Sequence, residues 1–364
     1  MDGAKPLWGH QQQAIELARE RDCFALFFDM GTGKTRTTIE IIREHFNNAG
    51  HIMRTLILCP PIVMQNWREE FKKFSKIPQD KIILLSGTQV QRLSKLKETN
   101  AIYILNYEGL IMKDLYEALT DWRPEILICD ESHKLKSYTA KRTKQATKLS
   151  DLTKFRYILS GTPITNSYLD LFSQFRISDH GASFGTNYFS FRAKYFHNAN
   201  AFIPSLRAFP KWEIKPKSQE HIAATIAGSS MRVKKEDCID LPELVRQDIP
   251  LELSSQQRSV YNQMESDFIA FLKEGVSVAK LAITKGLRLQ QIVSGFVKLE
   301  DDKIMHFDEN PRLAALKDLL EEITPDHKVL VWACFRENYA QIRRVCDELG
   351  LRYVEVHGDI STDR

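Results

Sequence analysis

The chain has 364 residues, enough for two or three domains and a large buried core. Its content, 43% hydrophobic and 27% charged, is that of an ordinary globular protein, and no internal repeat or low-complexity segment interrupts it. The net charge of +4 does not by itself imply a nucleic-acid partner, so local clustering has to decide that question.

Six cysteines (Cys23, Cys59, Cys129, Cys238, Cys334, Cys346) form no Cys-x-x-Cys pair. They predict buried thiols in a reducing compartment rather than disulfides or a zinc site. No signal peptide and no membrane-length apolar run is present in the sequence. The expected location is cytoplasmic, or nuclear in a eukaryote, with no membrane partner.

A helix is predicted from Ala14 to Arg19. Gln11 precedes it, about twenty residues before a Gly-Lys-Thr loop. Its amide offers both a donor and an acceptor and so could read adenine. The other reading is a polar helix start.

Phe24 to Phe28 is an apolar run that predicts a buried strand. A glycine-bearing loop follows, and then Ile39, Ile41 and Ile42 repeat at helical spacing. Strand, Gly31-Thr-Gly-Lys-Thr35 and helix read as a phosphate cradle; a glycine turn before a surface helix is the alternative. Gly31 and Gly33 let backbone N–H groups approach phosphates, Lys34 reaches the β/γ oxygens, and the Thr35 hydroxyl binds Mg²⁺. Phe28 stands where the pattern usually has its first glycine. Met30, Gly31, Thr32, Gly33, Lys34, Thr35 and Arg36 are the candidate nucleotide-binding residues, with Gln11 for the base.

Residues 55–59 predict a second strand, ended by Pro60 and Pro61, and Ile62 to Phe74 a helix whose Trp67, Phe71 and Phe74 read as core. Strands follow at 81–85 and 101–107. Strands alternating with helices predict a doubly wound parallel sheet, with ligands at the carboxyl ends of its strands.

Glu125 to Cys129 is another strand, closed by the adjacent acids Asp130 and Glu131. One carboxylate there can share the Mg²⁺ of Thr35. The other can orient and deprotonate the water that attacks a γ-phosphate. We read Asp130 as the metal ligand and Glu131 as the base, with Lys34 completing the catalytic set. A further strand from Tyr157 ends in Ser160, Gly161 and Thr162. Their polar groups could link the acids to whatever moves on hydrolysis; a plain strand exit stopped by Pro163 is the alternative.

Three segments in this order, Gly31-Thr-Gly-Lys-Thr35, Asp130-Glu-Ser-His133 and Ser160-Gly-Thr-Pro-Ile-Thr-Asn166, resemble superfamily 2 helicases. Asp29-Met-Gly-Thr-Gly-Lys-Thr35, Leu58-Cys-Pro-Pro-Ile-Val-Met-Gln-Asn-Trp67 and Asp130-Glu-Ser-His-Lys-Leu-Lys136 narrow the resemblance to the Swi/Snf-related DNA translocases. The segments from Met231 to Pro242, Ser254 to Tyr261 and Leu287 to Ile292 resemble further segments of that family, although Leu244 stands where a lysine is usual. The aromatic stretch with Phe191, Tyr195, Phe196 and Trp212 most resembles a short, annealing-helicase-like branch, and is also compatible with a hydrophobic mini-core.

The resemblance implies two RecA-like α/β lobes: the first at 1–180, an insertion with a helical protrusion at 181–305, and a partial second lobe at 306–364. Residues 179–216 read as an irregular excursion, and 252–274 and 276–297 as long helices. In the last segment a helix is predicted over 310–322, strands at 328–334 and 352–358, and a helix between them. The family's arginine-bearing last motif is not in the sequence. Arginine fingers of this type contribute about 10³–10⁵ in rate, so slow hydrolysis with little DNA stimulation is the expectation.

The resemblance also implies ATP and Mg²⁺ as cofactors and duplex DNA as partner, read with low sequence specificity. His133, Ser160, Gly161 and Thr162 would couple hydrolysis to motion. Pro60, Asn106, Tyr107, Lys136, His357 and Gly358 would face the DNA phosphates. The run from Lys134 to Lys148 has six positive charges and no acid. It reads either as a phosphate track or as a solvated helix face. A strand-separating helicase, a restriction-type translocase subunit, an RNA-dependent ATPase and a nucleotide-gated DNA-binding module are the competing readings.

Overall fold

The computed structural model describes residues 6–203, 209–238, 244–273, 279–299, 303–358 and 360. Leu241, Pro242 and Arg364, singled out in the sequence, lie outside the described residues. The chain forms two compact units, 1–242 and 243–364. The segment 181–305, expected as one insertion, is divided between them.

The first unit begins with α1 (Gly9–Arg19), β1 (Cys23–Phe28), α2 (Lys34–Ala49), β2 (Thr55–Cys59) and α3 (Met64–Phe74). It continues with β3 (Ile82–Leu84), α4 (Gln89–Lys95), β4 (Ile102–Asn106), α5 (Lys113–Trp122), β5 (Ile126–Asp130), α6 (Lys141–Ser150), β6 (Phe155–Leu159) and α7 (Leu171–Ser178). Then come α8 (Tyr188–Tyr195), β7 (Phe196–Asn198), β8 (Trp212–Ile214), α9 (Ser218–Ile226) and β9 (Ser230–Val233).

Seven strands form one parallel sheet in the order β3-β4-β2-β5-β6-β1-β9. The central strands are mostly apolar and buried along their length because both faces are covered. Alternate residues feed two cores. Phe24, Leu26 and Phe28 of β1 pack with Ile39 and Ile42 of α2 and Trp67 and Phe71 of α3 on one face. Ala25 and Phe27 pack with Leu149 of α6 and Phe172 and Phe175 of α7 on the other. The crossover helices return each strand in the same direction, so the strand ends carrying Asp29, Cys59, Asn106, Asp130 and Ser160 emerge along one edge.

Two expectations are corrected here. Residues 179–216 are not merely irregular. Helix α8 and the antiparallel pair β7–β8 organise them, with Phe184, Phe191, Tyr195 and Phe196 buried as an extension of the α7 core. Moreover β9, within the expected insertion, joins the main sheet beside β1.

The second unit contains α10 (Ser255–Lys273), α11 (Ala279–Val293), β10 (Phe296–Lys298), β11 (Ile304–His306), α12 (Pro311–Ile323) and α13 (Arg336–Glu348). Among its described residues, β10 and β11 are the paired strands. Neither 328–334 nor 352–358 forms a strand ladder. Each is apolar enough for a sheet, yet Leu330 and Trp332 are 80% and 89% exposed and Val354 92%. Apolar alternation marks residues able to enter a sheet and does not supply a neighbour to bond them.

Candidate nucleotide site

The loop between β1 and α2 is shaped by two glycines. Gly31 and Gly33 have φ of +84° and +85°, a region costly for any residue with a Cβ. A Cβ on Gly33 would also strike the Gln11 amide. The hydroxyl of the buried Thr32 donates to the Asp29 carbonyl at 2.8 Å and tightens the turn. Helix α2 then starts at Lys34 with no side-chain cap. Its first N–H groups and the helix dipole therefore make an anion site, and the residues present fit a polyphosphate. Thr35, in the first turn, is half-buried.

Lys34 Nζ donates to the Phe28 carbonyl at 2.7 Å and lies 3.4 Å from that of Asp29. Arg36 is engaged elsewhere: its guanidinium lies 4.1 Å from the Phe74 ring centroid and its Nε 2.9 Å from Glu40. Gln11 anchors α1 to the loop. Its Oε1 accepts from the Trp8 N–H at 2.9 Å, and its Nε2 donates to the Gly33 carbonyl at 3.3 Å. His10 bonds the Thr32 carbonyl at 2.9 Å and stands edge-on to Phe28. Gln11 retains one N–H and one lone pair beyond these bonds.

Asp130 closes β5 and is buried. Its Oδ2 accepts from Trp67 Nε1 at 2.9 Å and its Oδ1 from the Glu131 N–H at 3.0 Å. The Tyr107 hydroxyl donates to its carbonyl at 2.6 Å. Burial pushes the Asp130 carboxyl above its usual range, against the Trp67 bond. Glu131 differs. Its backbone is left-handed, φ +52°, a strained state for a residue with a side chain. The His133 imidazole, 3.3 Å away, holds its carboxyl below the usual range, and burial opposes this. The Lys34 charge lowers both acids, so the loop lysine and the acid pair share one field.

His133 Nδ1 also lies 3.2 Å from Ser160 Oγ, which accepts from the Thr162 N–H at 3.1 Å. Gly161 passes so close to the loop that a Cβ there would sit 3.3 Å from the Phe28 carbonyl. Thus the structure brings Lys34, Asp130, Glu131, His133, Ser160, Gly161 and Thr162 together.

The residues expected at the DNA differ in their surroundings. Pro60 is half-buried at the end of β2. Asn106 accepts from Arg92 Nη1 at 2.6 Å and donates to Glu108. Tyr107 is buried under the acid pair, with its hydroxyl taken by Asp130. Lys136 Nζ donates to Thr165 Oγ1 at 2.5 Å beside Asp170. Within the basic run, Arg142 pairs with Glu108, whereas Lys141, Lys144 and Lys148 are exposed. His357 belongs to the second unit, where it stacks on Tyr339 and bonds Glu355; Gly358 follows it.

Sequence reasoning missed two residues of the site. Trp67, read as core, holds the Asp130 carboxylate. Gln174, fully buried on α7, accepts from Ser132 Oγ at 2.6 Å and donates to the Pro163 and Asp170 carbonyls, tying β5's exit to β6's. A buried glutamine in an apolar helix is the only signal it leaves in the sequence.

An uncapped glycine loop, its lysine and a strand-end acid pair on one parallel sheet define a P-loop nucleotide-binding domain of the RecA-like type. A family model for the SNF2-related domain matches residues 10–300, and the chain belongs to that family of helicase-related ATPases. The chain is 28% identical over 304 residues to protein p41 of Acyrthosiphon pisum secondary endosymbiont phage 1, covering 80% of this chain and 64% of the phage protein. It is 32% identical over 190 residues to the Caenorhabditis elegans homologue of SWI/SNF-related matrix-associated actin-dependent regulator of chromatin subfamily A-like protein 1, covering 52% of this chain and 26% of the relative. The chain thus spans less than two thirds of these relatives. A solved structure of the Sulfolobus solfataricus SWI2/SNF2 ATPase core in complex with dsDNA shares the fold, with TM-score 0.54 and 22% identity over 98% of this chain and 73% of that one.

Proposed function

We propose that this chain is the motor part of an ATP- and Mg²⁺-dependent translocase that moves on duplex DNA without separating its strands. The observation that carries the reading is the meeting of Lys34 with Asp130 and Glu131 at one sheet edge, where the lysine charge acts on both acids. The uncapped α2 terminus and Lys34 would hold the phosphates. The Thr35 hydroxyl and the Asp130 carboxylate would hold Mg²⁺, which supplies charge neutralisation on the phosphate oxygens. Glu131 is kept ionised by His133 and so is suited to orient water and take its proton. The His133–Ser160 contact joins that carboxylate to the Ser160–Thr162 turn, which is where hydrolysis would be coupled to motion.

Duplex DNA as partner is supported by family membership and by the dsDNA bound to the Sulfolobus relative. Pro60 and the exposed lysines of α6 are the described candidates for phosphate contact in the first unit; His357 and Gly358 are those in the second.

The test is the ATPase rate of the purified chain with duplex DNA, single-stranded DNA and RNA, followed by triplex displacement against strand unwinding. The expected pattern is slow hydrolysis that DNA stimulates little, duplex more than single-stranded DNA or RNA, and no strand unwinding, with affinity falling steeply as salt rises and little with sequence. Unwinding activity would favour the strand-separating helicase. Nucleotide binding with no turnover on any of the three would favour a nucleotide-gated binding module.

A further inference from the structure

We infer that Lys235 is a second phosphate-binding cation of the nucleotide site, reaching the terminal phosphates of ATP from the end of β9. The inference rests on the nucleotide reading above. Lys235 lies inside the segment from Met231 to Pro242 that resembles the family, but the resemblance assigns it no role.

Strand β9 lies parallel to β1, with Phe28 opposite Val233. Parallel pairing makes the two strands exit on the same edge, so the residues after Val233 run beside the phosphate loop. Two hydrogen bonds fix this exit. The Asp29 N–H donates to the Val233 carbonyl at 3.0 Å, and the Lys235 N–H donates to Asp29 Oδ2 at 3.0 Å. The second bond also draws the Asp29 carboxylate, which would repel phosphate, toward β9.

The Lys235 side chain then extends over the loop. Its Cε lies 3.9 Å from the position a Cβ on Gly31 would occupy. Gly31 itself is exposed, so this chain passes the open rim of the cradle rather than its floor. Among the described residues the Lys235 ammonium makes no ion pair, whereas its neighbour Lys234 is held by Glu236 at 2.8 Å. An unpaired ammonium over a loop built to receive polyphosphate is a charge-assisted donor placed for that ligand. The rim position favours the outermost phosphate, which carries the most charge in ATP and is missing in ADP.

The experiment is equilibrium binding of fluorescent ATP and ADP analogues with Mg²⁺ to the full chain and to Lys235→Gln, Lys235→Arg, Lys234→Gln and Lys34→Ala. Lys235→Gln should weaken ATP about tenfold, the lower end expected for a hydrogen bond to a charged group, and ADP by about twofold or less. Lys235→Arg should retain most ATP affinity, and Lys234→Gln should bind as wild type. If Lys235→Gln keeps wild-type ATP affinity while Lys34→Ala loses it, the Lys235 assignment is overturned and the site stands. Equal losses for ATP and ADP would overturn the terminal-phosphate assignment. Unchanged ATP binding by Lys34→Ala would overturn the nucleotide site itself, and this inference with it.

Discussion

Asp130 and Glu131 are neighbours in sequence and opposites in chemistry. Asp130 is sealed in the sheet, held by the Trp67 indole and the Glu131 N–H, with its carboxyl raised by burial. Glu131 is turned out by a left-handed backbone and kept acidic by His133. A fixed, buried carboxylate suits a metal ligand; a less buried, ionised one suits a base. Glu131→Gln should therefore keep Mg²⁺-dependent nucleotide binding within a few-fold and lower turnover by about 10²–10⁴. Asp130→Asn should instead weaken the binding and its Mg²⁺ dependence. Nucleotide titrations at several Mg²⁺ concentrations, with single-turnover hydrolysis, separate the two. The same behaviour in both variants would end this division of roles. The positions of Lys34, Asp130 and Glu131 at strand exits are legible in the sequence because each sits inside a short local pattern, and their roles are what the variants test. The support from Trp67, Tyr107 and Gln174 was not legible. It depends on partners 63, 23 and 42 residues away, and only folding shows who faces whom.

At the scale of elements, the β1, β2, β4, β5 and β6 strands were readable as uninterrupted apolar runs. The unpaired runs at 328–334 and 352–358 show the limit of that signal, since a ladder needs two strands and a run describes one. Contacts between elements hold another kind of information. His45 of α2 bonds the Tyr157 hydroxyl of β6 at 2.6 Å, and its ring packs at a tilt against Phe155, the centroids 3.9 Å apart. Burial, with Lys154 nearby, lowers its pKa from 6.5 to about 4. As pH falls below 6.5 the unfolded chain takes up this proton and the folded chain does not. His45 therefore contributes a loss of stability between pH 6.5 and about 4, and none above. His45→Gln keeps a donor for Tyr157 and removes the titration. Urea midpoints measured at pH 7, 6 and 5 should fall less steeply in the variant than in wild type. Parallel pH profiles would show that the helix–strand contact is not proton-linked.

The whole molecule consists of two units with unequal cores. In the first, two clusters cover both faces of a seven-stranded sheet. The described core of the second consists of two small clusters, around Ile292, Val297 and Phe307 and around Leu320, Val345 and Cys346. Exposed Leu330, Trp332, Val354 and Val356 add apolar surface that its fold leaves in water. Hydrophobic stabilisation follows buried area, so the second unit should unfold at lower denaturant than the first. Two probes distinguish them. Helices of both units contribute to far-UV dichroism, whereas the buried Trp67 reports on the first unit and Trp332, 89% exposed, changes little on unfolding. Dichroism should begin to fall before tryptophan emission shifts. MgATP should then move only the later transition, because the phosphate loop and acid pair belong to the first unit. At 100 times its dissociation constant the shift corresponds to about 2.7 kcal/mol. A single coincident transition that MgATP moves as a whole would mean that the two units unfold as one, and the second would then owe its stability to the first.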